Sequence, residues 1–135
     1  MATLFLDTAG WFGAIMPREL GHAKARATYN DAAKAGDRLV TTALVIAEMH
    51  AMILRWSDVR TGQDFLDLAL DNRTHTVVDA DAELLSAAVA RWVKRFRDRP
   101  CSLCDAASFE VMRRERITRA LTFDKHFSQA GFQTL

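Results

Sequence analysis

Cysteine is almost absent from this chain: Cys101 and Cys104 are its only two. A disulfide framework is thereby excluded, and stability has to come from a buried core. No apolar run approaches the roughly 20 residues that span a bilayer, and the opening residues lack the basic region and long apolar stretch of a secretory leader. Together these absences predict a cytoplasmic protein with no membrane contact. An excess of one charge is missing too. Lys and Arg total 18 against 17 Asp and Glu, a formal charge of +1, so bulk electrostatics do not mark a nucleic-acid binder. No internal repeat or low-complexity linker interrupts the chain.

What is present is 135 residues, half of them hydrophobic, which fits one compact domain, residues 1–135, with a core of its own. Short β-like runs alternate with helical patterns throughout, predicting an α/β domain on a mainly parallel sheet. The first run, Thr3-Leu4-Phe5-Leu6, is almost continuously apolar, as a strand buried on both faces would be, and it stops at Asp7-Thr8, where a helix begins. A polar helical stretch over 18–35 ends at Gly36-Asp37. A second strand over 38–41 leads to Thr41 or Thr42 as the cap of a helix reaching about Trp56. Phe65, Leu66, Ala69 and Leu70 recur at helical spacing, and 74–78 form a third strand before Asp79. The next helix carries Leu85, Ala88, Val89, Trp92, Val93 and Phe96 on one stripe and ends ahead of Pro100. A helix over 102–115, a fourth strand over 119–123 and a fifth, edge strand over 132–135 complete the pattern.

Four acids stand out by position. Asp7 and Asp124 each follow a strand, and open parallel sheets build their ligand sites just beyond the carboxyl ends of the strands. Each also fits a plain helix cap, since Asp is a preferred N-cap. Asp79 follows a strand as well, with no reason to be catalytic. Asp105 lies three residues after Ser102, the spacing of a capping box. Glu48 sits among apolar neighbours in Ala43-Leu44-Val45-Ile46-Ala47-Glu48-Met49, so its helix face is expected to be buried. An ionised carboxylate there is costly unless it is paired or bound to a cation, which makes Glu48 the acid that folding explains least. Setting these four of the 17 acids aside leaves 18 basic residues against 13 acidic ones, a basic body around a negative site and suited to a polyanion held over bound cations. Carboxylates without a matching set of His or Cys ligands favour Mg²⁺ or Mn²⁺ over zinc. On a phosphodiester, such ions activate water and neutralise the leaving oxyanion.

The segments Phe5-Leu6-Asp7-Thr8, Thr42-Ala43-Leu44-Val45-Ile46-Ala47-Glu48, Ser102-Leu103-Cys104-Asp105-Ala106 and Leu121-Thr122-Phe123-Asp124-Lys125-His126-Phe127 together resemble the PIN domain, particularly the VapC-like toxins of bacterial toxin–antitoxin pairs. The resemblance covers nearly the whole chain. It implies a three-layer α/β/α sandwich whose mainly parallel five-stranded sheet runs in the order 3-2-1-4-5, with the acidic site above strands one and four. It also implies endoribonuclease activity on RNA, with Asp7, Glu48, Asp105 and Asp124 matching the family's acidic quartet and Thr8 and Thr122 as polar supports. A toxin of this kind is further expected to form a homodimer and to be blocked by a small antitoxin whose tail occupies the acidic groove.

Other features admit competing readings. Lys94, Arg97 and Arg99, within a basic run that also holds Arg91 and Arg95, are candidate phosphate contacts, and so is a second set at Arg113, Arg114, Arg116 and Arg119. A solvated helix face is the alternative for both. His126 could touch substrate or simply pack. Trp11, Trp56 and Trp92 are read as core or interface. The Cys101–Cys104 spacing matches half of a zinc site with no other half, or a redox pair whose oxidation would distort the neighbouring acids. Two other functions compete: a PIN-like module that binds RNA or a partner without cutting, and an aspartate-based phosphatase. The phosphatase would want an acid two residues after its nucleophile, and Asp7 is followed by Thr8 and Ala9.

Overall fold

A computed structural model describes residues 2–135; Met1 lies outside the described residues. Strand β1 (Thr3–Leu6) is the centre of the sheet, and Leu4, Phe5 and Leu6 are all buried. It pairs in parallel with β2 (Arg38–Thr42) on one side, Phe5 opposite Val40, and with β4 (Arg119–Leu121) on the other, Phe5 opposite Ala120. β3 (Thr76–Val78) lies outside β2, giving a parallel sheet in the order β3-β2-β1-β4.

The chain thus steps outward from β1 to β3 and then crosses back to the far side of β1. Helices α1 (Thr8–Ile15) and α2 (His22–Lys34) fill the first crossover, and α3 (Ala43–Trp56) and α4 (Val59–Ala69) the second. The returning crossover carries α5 (Ala82–Ala88), a π-helical turn (Val89–Val93) and α6 (Leu103–Glu115). Because parallel crossovers are right-handed, reversing the direction of travel puts the third set of helices on the opposite face. The packing agrees: α1 lies on α2 and α3, and α3 on α4, whereas α5 and the π turn lie on α6. Helix α7 (Lys125–Gln129) follows β4.

The expected α/β sandwich is therefore present, with two local corrections. The fifth strand is reduced to one isolated parallel bridge, Gln133 beside Arg119, fastened by the Ala120 N–H to the Gln133 carbonyl at 2.9 Å and the Gln133 N–H to that of Thr118 at 2.8 Å. It occupies the place of strand five in the order 3-2-1-4-5, but only four strands form among the described residues. The helix expected to continue to Phe96 leaves α geometry after Ala88. The widened turn accompanies the insertion of Trp92, whose indole N–H donates to Glu110 Oε1 at 3.1 Å.

Among the described residues no helix is long and apolar enough to cross a membrane. The chain's reversal point lies between β1 and β4, the position at which open α/β sheets form a crevice. Gly10 makes close approach possible there: a Cβ on this residue would fall on the Leu121 carbonyl and the Thr122 amide. The first turn of α1 consequently lies directly on the end of β4.

Candidate active site

Asp7 leaves β1 into the crevice, its own amide still donating to the Leu121 carbonyl at 3.2 Å. It occupies the N-cap position of α1, yet its side chain makes no cap hydrogen bond. Instead Oδ2 accepts from the Thr122 hydroxyl at 2.7 Å. Only 3% of Asp7 is exposed, and burial pushes its pKa up to about 7, opposed by the Thr122 hydrogen bond and reinforced by the charge of Asp105. The capping explanation therefore fails for this acid.

Asp105 enters from the first turn of α6, where Ser102 accepts its amide at 3.0 Å. Burial raises its pKa to about 6, with the charge of Asp124 adding to the shift. Asp124 does cap α7, taking the His126 amide at 2.9 Å, and its own amide donates to the Thr122 hydroxyl at 3.0 Å. Thr122 thus joins Asp7 and Asp124 through one oxygen. The imidazole of His126 completes the cluster: Nδ1 lies 3.1 Å from Asp124 Oδ1 and 3.8 Å from Asp105 Oδ2. Asp105, Asp124 and His126 each offer a donor atom within 4.8 Å of the others.

Glu110 supplies the contrast. It is buried to 1% exposure, but Arg113 and Arg114 donate to it at 2.8–3.1 Å, the Trp92 indole adds a bond at 3.1 Å and Arg91 approaches to 3.3 Å. These partners hold its pKa down at about 2, the Arg113 hydrogen bonds foremost. The fold neutralises this buried acid and leaves Asp7 with a hydroxyl. Two further buried polar atoms, Thr8 Oγ1 and His126 Nδ1, have no hydrogen-bond partner. Unneutralised carboxylates whose ionisation is suppressed by burial, beside orphaned polar atoms, fit a bound divalent cation, which removes the electrostatic cost. The donors are oxygens and one imidazole.

The PIN-domain family model matches residues 4–133 of this sequence. The chain belongs to the PIN-domain family. Among curated proteins this PIN domain is similar to the 23S rRNA-specific endonuclease VapC20 of Mycobacterium tuberculosis, found in two strains, at 31% identity over 132 residues, 96% of this chain and 95% of the relative. Among solved structures it is similar to the crystal structure of M. tuberculosis VapC20, described as a sarcin-ricin loop cleaving toxin, with a TM-score of 0.85 at 28% identity over 96% of this chain and 95% of that one. VapBC2 from Rickettsia felis, bound to a DNA fragment from their promoter, shares the fold with a TM-score of 0.72 at 15% identity, covering 98% and 97% of the two chains.

Of the four acids singled out from the sequence, Asp7, Glu48 and Asp124 all lie close enough to Asp105 for their charges to interact with it, but among the described residues only Asp105 and Asp124, together with His126, form a group at ligand spacing. Glu48 is exposed rather than buried. The inner face of α3 is set by Val45, Ile46, Met49 and Ile53, and Glu48 falls at the edge of that stripe. It faces α6, near enough for its charge to raise the pKa values of Cys104 and Asp105. The acid that burial cannot explain is Asp7. His126, whose packing role was an open alternative, is part of the cluster; the signal was its place two residues after Asp124, in the first turn of the same helix.

Of the basic residues, Arg113 and Arg114 are engaged with Glu110 and Glu83 and do not form an open phosphate surface. Arg91 leans on Glu110, and Arg95 lies over the rings of Trp92 and Phe96 at 5.3 and 5.7 Å. Lys94, Arg97 and Arg99 remain exposed on the segment leading into α6, and Phe96 of that segment packs 6.4 Å from the His126 ring. Cys101 and Cys104 are free thiols, and burial raises both pKa values, Cys101 to about 11. Trp11 and Trp92 are core, whereas Trp56 is 69% exposed. It lines an apolar groove of about 700 Å³ with Phe12, Leu20, Met52 and Phe123; Phe123 lies between Thr122 and Asp124 in the chain, but none of the four acids lines the groove.

Proposed function

We propose that this chain is a metal-dependent endoribonuclease acting through Asp7, Glu48, Asp105 and Asp124, and that it is the toxin of a toxin–antitoxin pair. The observation that carries the reading is the unneutralised burial of Asp7 beside Asp105 and Asp124, in a fold that surrounds its other buried acid with arginines. Asp7, Asp105 and Asp124 hold the cation, Mg²⁺ or Mn²⁺. When bound, the ion acidifies water and offsets charge on the phosphoryl group. Thr122 fixes the Asp7 carboxylate and the start of α7 together, while Thr8 lines the same end of α1. Glu48, exposed at the edge of the site, orients the attacking water and accepts its proton at a carboxylate oxygen. Lys94, Arg97 and Arg99 hold the RNA backbone beside the acids.

Similarity to VapC20 over nearly the full length of both chains supports ribosomal RNA as the substrate class. The apolar groove through Leu20, Trp56 and Phe123 supports an antitoxin whose tail seats apolar side chains there and sets a basic one over the acids. Exposed Leu54, Val59, Leu68 and Leu70 on and after α3 and α4 give a second copy a surface to cover in a homodimer.

Mapping RNA ends after incubating the purified chain with intact ribosomes and Mn²⁺ tests the substrate. A single cut in 23S rRNA is the expected result. Uncut ribosomal RNA, with cleavage of another class such as tRNA, contradicts the rRNA assignment while leaving the nuclease intact.

A further inference from the structure

His126 is the one nitrogen donor in the acid cluster, and its ring is already held in place. Its own amide is fixed by Asp124 Oδ1 at 2.9 Å, and the imidazole packs against Phe96 at 6.4 Å between centroids. Nδ1 is nevertheless buried without a hydrogen-bond partner. Two other histidines of the chain behave differently. His22 Nδ1 meets the Gly13 carbonyl at 2.8 Å, and His75 meets Tyr29, Thr74 and Leu68 with its two ring nitrogens. An imidazole nitrogen kept from water and forming no hydrogen bond, yet 3.1 Å from one carboxylate oxygen and 3.8 Å from another, has the spacing of neighbouring ligands: adjacent donors of an octahedral ion lie about 3 Å apart.

We propose that His126, through Nδ1, is a direct ligand of the divalent ion held by Asp105 and Asp124, and that this nitrogen makes the site prefer a first-row transition ion over Mg²⁺. Magnesium is best served by oxygen donors and gives up its waters reluctantly, whereas imidazole nitrogen suits the later first-row ions best and Mn²⁺, the first of that affinity series, least among them but still more than Mg²⁺. The ring's fixed position removes part of the ordering cost of ligation. A purely orienting His126 would instead donate an aligned hydrogen bond to Asp124, and no such bond forms. The inference rests on the reading of the acids as a metal site.

Mn²⁺ titrated into the full-length wild-type chain, followed by electron spin-echo envelope modulation, reads nitrogen coordination independently of any cleavage. The expected result is ¹⁴N modulation from one imidazole, absent from His126→Gln and His126→Asp. In parallel, loss of the free-ion electron-resonance signal on titration gives the affinity. His126→Gln is expected to weaken Mn²⁺ roughly tenfold and Mg²⁺, measured by competition, less than about twofold. His126→Asp, which puts a carboxylate oxygen in place of the nitrogen, is expected to bind Mg²⁺ at least as tightly as the wild type and to lack the nitrogen signal. Bound Mn²⁺ with no ¹⁴N modulation in the wild type, or equal losses for the two ions in His126→Gln, overturns the proposal and leaves the acidic metal site standing. A wild-type chain that binds no Mn²⁺ overturns both. The wild-type spectrum decides the question even where a variant fails to fold.

Discussion

Thr122 donates its hydroxyl hydrogen to Asp7 Oδ2 at 2.7 Å while the same oxygen accepts the amide of Asp124 at 3.0 Å. One side chain at the end of β4 therefore fixes two acids contributed from distant parts of the chain. Replacing it by Val keeps the shape and removes both bonds. Since the Thr122 bond lowers the Asp7 pKa, Thr122→Val raises that pKa further, by an amount bounded by the roughly 1.5–3 kcal/mol of a hydrogen bond to a charged group. The acid limb of the pH–activity profile is expected to move to higher pH, with maximal activity reduced about tenfold; an unchanged profile would mean that Thr122 only packs.

The same burial of Asp7 sets a pH dependence of stability. Its folded-state pKa is raised from 3.8 to about 7, so the folded state binds a proton more tightly than the unfolded state. The associated stability is fully present below the unfolded value and is lost as pH rises through the folded value, between about 4 and 7. The metal-free chain is expected to lose up to roughly 4 kcal/mol over that window from this group. Asp105, raised to about 6, acts in the same direction. Asp7→Asn should flatten the fall and raise Tm at pH 7.5, as measured by calorimetry in the presence of a chelator. Adding Mn²⁺ should stabilise the wild type at pH 7.5 more than at pH 5.

Glu110 belongs to the framework and not to the chemistry. Glu110→Ala removes the common partner of Arg113, Arg114 and the Trp92 indole. Loss of stability on the order of 2–3 kcal/mol is expected, below the cost of breaking a fully enclosed pair because the arginines remain partly in water. Metal affinity of the folded variant should be within about twofold of wild type, and denaturant melts with Mn²⁺ titration check both.

Gly10 is required by close approach and not by backbone conformation. Gly10→Ala places a methyl group on the Leu121 carbonyl and Thr122 amide, forcing α1 away from β4. Destabilisation of roughly 2–3 kcal/mol is expected, together with weaker metal binding, because Asp7 begins the same helix. Gly36→Ala is the comparison: nothing lies within 4 Å of a Cβ there, its φ is +73°, and only backbone strain is at stake. Its metal affinity should remain that of the wild type.

Strand β1, the Thr42 cap and the alternation of elements were legible because each is written in local pattern: an apolar run, a hydroxyl before an amphipathic helix, and breaks between them. The fifth strand was not. Residues 132–135 have strand-like composition, but a single bridge at an edge satisfies the few backbone groups that need it. The positions of the acids were legible and their environments were not. Burial of Glu48 was inferred from its immediate neighbours, whereas exposure is decided by which side of α3 faces the sheet. Asp7 looked like an ordinary cap, and its isolation depends on Gly10 and Thr122, which pack α1 onto a strand more than a hundred residues away. The pairing of Glu110 with Arg113 and Arg114 is legible from their i+3 and i+4 spacing on one helix, whereas the burial of Glu110 under the Trp92 indole depends on a separate element and is not.

In the proposed reaction the acids act through a divalent cation. Its most direct test is single-turnover cleavage of ribosomal RNA by purified wild type, Asp7→Asn and Asp105→Asn, each with Mn²⁺, with Mg²⁺ and with excess chelator. Cleavage by the wild type with metal, abolished by chelator and reduced at least about a thousandfold in both variants, is the predicted result. Equal cleavage by all three proteins, or wild-type cleavage that persists in chelator, would contradict it.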